Sequence, residues 1–333
     1  MLITIVVPVF NEQDSLQELA HRIESVCQES NYEHEIIFVD DGSRDDSWKH
    51  IAQLASQRPG IQGLRLRRNF GKAAALAAGF DAAGTRRCDE QVIITMDADL
   101  QDDPAEIPKL VSKLNEGFDV VTGWKQVRHD PWHKVLPSRI FNWLISWLTG
   151  VRLHDHNCGL KAYRRDVIRE IQLYGEMHRF VPVLAAARGF RVSEMIVQHH
   201  PRMHGVSKYG LERFVKGFLD LLTVKFLTGF GNRPQHLLGT IGLSSFLLGS
   251  AGLCSLTMLW VVSRLTDMPD IHLHSRAVFY YCILAILLGV QLISIGFIAE
   301  LITAQNRPTQ SPYSLAEDTH SQGTGRQSLD HGS

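Results

Sequence analysis

Val92-Ile93-Ile94-Thr95-Met96-Asp97-Ala98-Asp99-Leu100-Gln101 is the stretch that decides the fold of this chain. A short, β-branched apolar run that ends abruptly in polar residues reads as a buried strand delivering two carboxylates at its carboxyl end. Working outward, the same design recurs upstream. Ile3–Val7 runs into Val7-Pro8-Val9-Phe10-Asn11-Glu12, and Ile36–Val39 runs into Asp40-Asp41-Gly42-Ser43. Leu64–Leu66 and Val120–Val121 complete the strand candidates. Between the strands, 14–28, 45–56, 72–83 and 104–115 carry helical periodicity, with Asp14 and Ser43 as candidate N-caps and Pro104 suited to a first helical turn. Strand–helix repetition predicts an α/β fold with a mostly parallel, doubly wound sheet and right-handed crossovers. Ligands of such sheets sit at the carboxyl ends of the strands, where the polar clusters of this chain fall.

Composition sets the outer bounds. The chain has 333 residues, enough for about two structural units. Lys and Arg number 34 against 35 Asp and Glu, a net charge of −1, so no general nucleic-acid surface is expected. The mean hydropathy of −0.06 resembles that of a soluble enzyme. Five scattered cysteines, Cys27, Cys88, Cys158, Cys254 and Cys282, argue against a disulfide scaffold or a zinc knuckle. The N-terminus lacks a basic region and reads as a strand, with no signal peptide expected.

The average hides a segregated C-terminal region. Residues 237–262 and 277–299 contain no charged side chain. Their 26 and 23 residues make about 39 and 35 Å of helix, enough to cross a hydrocarbon core of about 30 Å. Buried helices of a soluble core rarely run so long without a charge. Arg213, Lys216, Lys225 and Arg233 precede the first span and Arg307 follows the second, whereas the loop between them offsets Arg264 and Arg276 with Asp267 and Asp270. The positive-inside rule therefore predicts an integral membrane protein with its large N-terminal part and its tail in the cytoplasm. Small residues Ser245, Gly249 and Gly252 would allow close helix contact and are compatible with homo-oligomerisation.

Two earlier segments have interfacial character. In 138–148 (SRIFNWLISWL), Ile140, Phe141, Leu144, Ile145 and Leu148 share a helical face bordered by Trp143 and Trp147; in 211–230, Phe214, Phe218, Leu221, Leu222 and Lys225 do the same. Such helices can lie in the headgroup plane or pack on the domain's own core. The predicted organisation is a catalytic domain at 1–210, an amphipathic region at 211–235, a two-helix anchor at 236–303 and a disordered tail at 304–333.

Two carboxylates spaced i, i+2 in a turn can share one Mg²⁺ or Mn²⁺ that keeps positions open for substrate phosphates. The alternative, that Asp97 and Asp99 only cap the following helix, leaves the polar clusters at neighbouring strand ends unexplained. His199 and His200 lack the spacing of a metal site, and Gly71 and Gly79 do not form a dinucleotide fingerprint.

The order VPVFNE, VDDGS, RNFGK (68–72), DADLQ, HDHNCGLKAYRR (154–165) and HGVSKYG (204–210), followed by two terminal spans, resembles the inverting family-2 glycosyltransferases with the GT-A fold. The similarity is greatest to the branch of dolichol-phosphate mannose synthases and polyprenyl-phosphate glycosyltransferases, and it covers about residues 1–303. That resemblance implies a nucleotide pocket lined by Pro8, Phe10, Asn11 and Glu12, with Asp40 contacting base or ribose, Asp41 holding the loop, and Lys72 on the donor. It implies Asp97, Asp99 and Gln101 as holders of a Mg²⁺ or Mn²⁺ ion on the donor diphosphate. Arg202, Ser207 and Lys208 would close on the phosphates, and Arg128, Lys134 and Arg139 would grip the acceptor phosphate. Asp155 is a candidate for orienting acceptor or sugar. Lys161 and Lys125 stand where the family often has arginine.

The expected reaction is attack of a polyprenyl (undecaprenyl or dolichyl) phosphate on the anomeric carbon of a uridine- or guanosine-diphosphate sugar. A phosphate monoester with a second pKa of about 6 is already nucleophilic, which agrees with the absence of an obvious base. Rival readings are a glycolipid synthase with a hydroxyl acceptor such as diacylglycerol, and a non-catalytic scaffold that binds a nucleotide sugar.

Overall fold

A computed structural model describes residues 1–84, 91–126, 132–171, 173, 177–200, 212–230, 234–266 and 272–306. The chain divides into two compact units, 1–225 and 226–333.

The first unit is built on a seven-stranded sheet: β1 (Leu2–Val9), β2 (Glu33–Asp40), β3 (Ile61–Arg65), β4 (Gln91–Thr95), β5 (Val120–Trp124), β6 (Lys161–Arg164) and β7 (Val192–Ile196), in the order β3-β2-β1-β4-β6-β5-β7. All pairings are parallel except the two made by β6, which runs antiparallel to both β4 and β5. The mostly parallel sheet is as predicted; β6 and β7 had no counterpart among the strand candidates, and β3 begins three residues earlier than expected.

Helices α1 (Leu16–Glu29), α2 (Ser47–Gln57) and α4 (Ile107–Asn115) accompany one buried cluster that includes Ile3, Ile5, Phe38 and Ile94. Helices α3 (Lys72–Gly84), α6 (Arg165–Glu170) and α7 (Val181–Ala187) accompany a second, with Val6, Ile37, Ile93 and Tyr163. Central strands buried on both faces must be apolar at successive positions, which is why β1 reads as an apolar run broken only by the buried Thr4. Two expected caps are corrected. Helix α1 starts after Ser15, and the Ser43 hydroxyl accepts a hydrogen bond from the Asn11 N–H at 2.9 Å. Asp103 caps the turn at Pro104 by accepting from the Ala105 N–H at 2.9 Å.

Helix α5 (Trp132–Thr149), α7 and α8 (Glu212–Phe230) enclose a third, smaller core around Ile145, Phe180, Leu221 and Val224. Phe141, Leu144 and Leu148 pack against it, so the face of α5 read as interfacial turns inward. Ile140, Trp143 and Trp147 of α5 are exposed instead, as are Phe218, Leu219 and Leu222 of α8.

The second unit is a helical hairpin of α9 (Pro234–Leu265) and α10 (Ala277–Asn306). Gln235–Leu265 and Ala277–Ile302 are long and apolar enough to cross a membrane. A Cβ on Gly249 would lie 2.7 Å from the Cys282 carbonyl oxygen, and the Ser245 hydroxyl donates to the Ala285 carbonyl at 2.8 Å. The small residues expected to serve a second copy are thus occupied by α10 of the same chain. Residues 304–306 continue α10 rather than belonging to a disordered tail; the rest of that predicted tail lies outside the described residues.

Candidate active site

Strands β1 and β4 stay paired from Leu2↔Gln91 to Val6↔Thr95 and then separate. Pro8, which has no N–H to give, falls just past that point, where no ladder bond toward β4 is lost. The crevice lies just past the carboxyl ends of these two parallel strands, the position expected for a ligand. A cavity of about 250 Å³ occupies it. The structure brings Pro8, Phe10, Glu12, Asp41, Lys72, Asp97 and Asp99 together on its wall, along with Val9, Asn69, Gly71, Ala75 and Ala98.

The loops after β1 and β2 hold one another. Asn11, in the left-handed region with φ 57°, accepts from the Arg44 N–H at 2.8 Å, and the Glu12 N–H donates to Ser47 Oγ at 3.0 Å. Gly42 has φ 71°, and a Cβ there would lie 2.5 Å from the Arg68 carbonyl carbon, so the VDDGS loop can pass under RNFGK only with glycine. Asp41 accepts from the N–H groups of Phe70 at 2.7 Å and Gly71 at 2.9 Å, which ties the VDDGS loop to RNFGK. Burial pushes its carboxyl upward against those two donors. Asp40 is not on the cavity wall. It is fully buried, accepts from the Ser43 N–H at 2.9 Å and pairs with Arg65 at 3.2 Å, so it clamps the loop from inside.

The charged centre is Asp97. Burial works to raise its carboxyl, but Lys72, which pairs with it directly, together with Lys125 and Lys161 holds it well below the usual carboxylate range. Lys161 is buried, donates to the Cys158 carbonyl at 2.5 Å, and is pulled down to about 8 by burial. Lys125 is desolvated too, yet Asp102, 2.9 Å away, more than offsets this and drives it upward. Gly159 lies against the Asp97 carboxylate: a Cβ there would meet its carbon at 2.6 Å. The Gly159 carbonyl accepts from the Thr95 hydroxyl at 2.8 Å, which fixes that approach.

The oxygen donors Asp97 and Asp99 suit a hard divalent cation. Among the described residues no group of three or more His, Cys, Asp or Glu could hold a metal ion. Mg²⁺ fits such a pair, because it binds through one or two carboxylates and takes remaining ligands from substrate phosphates and water. Gln101 is off the cavity wall, its amide nitrogen 3.5 Å from His199 Nε2 and from the His200 carbonyl.

Other expected site residues are elsewhere. Asp155 is buried off the wall and accepts from the Asn157 N–H at 3.1 Å; Arg139 is exposed on α5. Arg128, Arg202, Ser207 and Lys208, and the side chain of Lys134, lie outside the described residues. Asn69, Gly71 and Gly159 were missed as individual contributors, although RNFGK and HDHNCGLK drew attention to their segments.

A family model described as glycosyl transferase family 2 matches residues 4–172. A dodecaprenyl-phosphate galacturonate synthase from Rhizobium johnstonii is 39% identical over 90% of this chain and 87% of its own length. An undecaprenyl-phosphate 4-deoxy-4-formamido-L-arabinose transferase from Edwardsiella ictaluri is 38% identical over 90% of this chain and 88% of its own. A glucosyl-3-phosphoglycerate synthase from Mycobacterium tuberculosis, solved with Mn²⁺, uridine diphosphate and phosphoglyceric acid, shares the fold with a TM-score of 0.51, at 17% identity over 68% of this chain and 78% of that one.

Proposed function

The chain belongs to the family-2 glycosyltransferases, and from that premise we propose that it transfers one sugar from a uridine- or guanosine-diphosphate donor to a polyprenyl phosphate, with inversion. The observation that carries this reading is the convergence of Glu12, Asp41, Lys72, Asp97 and Asp99 on one cavity at the strand ends. The two relatives whose names specify a polyprenyl phosphate acceptor extend along 90% of the chain and so include the hairpin.

The donor's nucleoside sits in this reading along Pro8, Phe10 and Glu12, with the Asp41-tethered loop over it. Asp97 and Asp99 would hold a divalent cation, which when bound supplies positive charge to the donor diphosphate. Lys72 lies beside Asp97 and stabilises charge that accumulates on the leaving group, a contribution realised mainly in the transition state. A lipid phosphate oxygen forms the new bond at the anomeric carbon as the carbon–oxygen bond to the diphosphate breaks, and the nucleoside diphosphate departs with that electron pair. Positioning supplies the rest of the acceleration, since a phosphate dianion needs no base.

The hairpin spans the membrane in this reading, with the catalytic domain and the C-terminus on the cytoplasmic side. The exposed Ile140, Trp143 and Trp147 of α5 and Phe218, Leu219 and Leu222 of α8 suit contact with the headgroup region. Purified protein supplied with Mg²⁺ or Mn²⁺, a panel of labelled nucleotide sugars and undecaprenyl or dolichyl phosphate tests the reading. Labelled lipid from at least one donor is expected; transfer only to diacylglycerol would favour the hydroxyl-acceptor rival.

A further inference from the structure

His154, Trp124 and Glu194 form a group that the reaction above leaves without a role. They come from the loop after α5, the last residue of β5 and the middle of β7. Glu194 accepts twice from His154, from its backbone N–H at 2.7 Å and from its ring Nδ1 at 2.5 Å. The imidazole lies flat on the Trp124 indole, with centroids 4.0 Å apart and planes 14° apart. An ionised carboxylate only accepts, so the Nδ1 hydrogen points at Glu194. Nε2 is then the ring nitrogen with no partner among the described residues, on a side chain 64% exposed while that of Glu194 is 18% exposed. The stack and the two hydrogen bonds hold this exposed ring in one orientation before any ligand arrives.

The surroundings indicate which ligand. Trp124 precedes Lys125, whose charge acts on Asp97, and Gly159, five residues after His154, abuts the Asp97 carboxylate. Asn142 of α5 donates to the His154 carbonyl at 3.0 Å. The group is therefore tied to the site through chain neighbours on β5 and in the 154–159 loop, on the half of the sheet away from the β1 and β2 loops that receive the nucleotide in this reading.

We propose that His154 contacts the acceptor, its Nε2 donating a hydrogen bond to an oxygen of the lipid phosphate, with Glu194 and Trp124 as positioning residues. In that complex the ring carries a hydrogen on each nitrogen and bridges the Glu194 carboxylate and the phosphate. The inference rests on the polyprenyl phosphate reading above.

The test uses the full-length protein and its His154→Ala, His154→Gln and Glu194→Gln variants, each checked for an unchanged thermal midpoint. Apparent KM is measured separately for undecaprenyl phosphate and for the nucleotide sugar. His154→Ala is expected to raise the acceptor KM about tenfold, the loss of one charge-assisted hydrogen bond, while the donor KM stays within twofold. Glu194→Gln should raise the acceptor KM about threefold, and His154→Gln, which still offers an N–H, should fall between wild type and His154→Ala. An acceptor KM within twofold of wild type in both His154 variants overturns the contact, as does a parallel rise in both KM values. Wild-type protein that transfers nothing to undecaprenyl or dolichyl phosphate overturns the parent reading and the contact together; active wild type with an unmoved acceptor KM overturns the contact alone.

Discussion

The two halves of the catalytic sheet solve different problems with the same strands. On the β3-β2-β1-β4 side, parallel strands end in loops that bind one another through Asn11, Ser43, Asp41 and Gly71, and the cavity residues lie at the end of β1 (Pro8) or just past β1 and β2 (Phe10, Glu12 and Asp41). On the β6-β5-β7 side an antiparallel strand is inserted, and Gly159, which abuts Asp97, arrives on the 150–160 loop that α5 holds through Asn142. There the Asn142 amide donates to the His154 carbonyl, and the buried His156 ring lies 3.2 Å from the Ser146 hydroxyl. The difference teaches that one side presents a preformed rim to the cavity, whereas the other depends on a loop braced by a helix.

The largest effect is expected where the two halves meet. Asp99→Ala should lower kcat by about 10³-fold, as loss of a principal electrostatic stabiliser does, with the thermal midpoint unchanged; retention of a tenth of wild-type activity would separate Asp99 from the chemistry. Gly159→Ala should cost about 10²-fold in turnover, because its Cβ must displace the Asp97 carboxylate. If the halves are independent, Gly159→Ala will leave turnover intact.

Stability should distinguish the halves more gently. Ile145→Ala, in the small core that anchors α5, is expected to cost about 2–5 kcal/mol in chemical denaturation. A loss under about 1 kcal/mol would show that α5 does not depend on this core. The smallest effect is one of pH. Burial first, and then Lys161, hold the His156 imidazole down at about 3 against an ordinary 6.5. The unfolded chain therefore binds the extra proton between about 6.5 and 3, so this contribution is complete above 6.5 and declines as pH falls through that window. The slope is at most about 1.4 kcal/mol per pH unit. His178, buried beside Lys72 and Arg179, is lowered in the same sense. His156→Gln should flatten the difference in midpoint between pH 6.5 and 4.5; an equal slope in variant and wild type would contradict the assignment.

The same contrast explains what could be read from the residues alone. Strands β1, β2 and β4 are buried on both faces and show as apolar runs that stop at polar clusters, so both fold and crevice were legible there. β6 begins with Lys161 and ends with Arg164, and β7 is a half-buried edge strand, so neither carries an apolar signal. Asp40 and Asp41 are adjacent and chemically identical; only the register that pairs Val9 with Asp40 puts the first inside the protein and leaves the second at the cavity. The small residues of α9 announced close helix packing but not its partner, because a glycine stripe carries no address.

Transfer of label from a nucleotide sugar to a polyprenyl phosphate by the purified full-length protein, with and without chelation of divalent cations, tests the central claim most directly. The account predicts a labelled lipid that forms with Mg²⁺ or Mn²⁺ present and is lost on chelation and in Asp99→Ala. Failure to label either undecaprenyl or dolichyl phosphate from every common nucleotide sugar, by protein that is folded and metal-supplied, would contradict it.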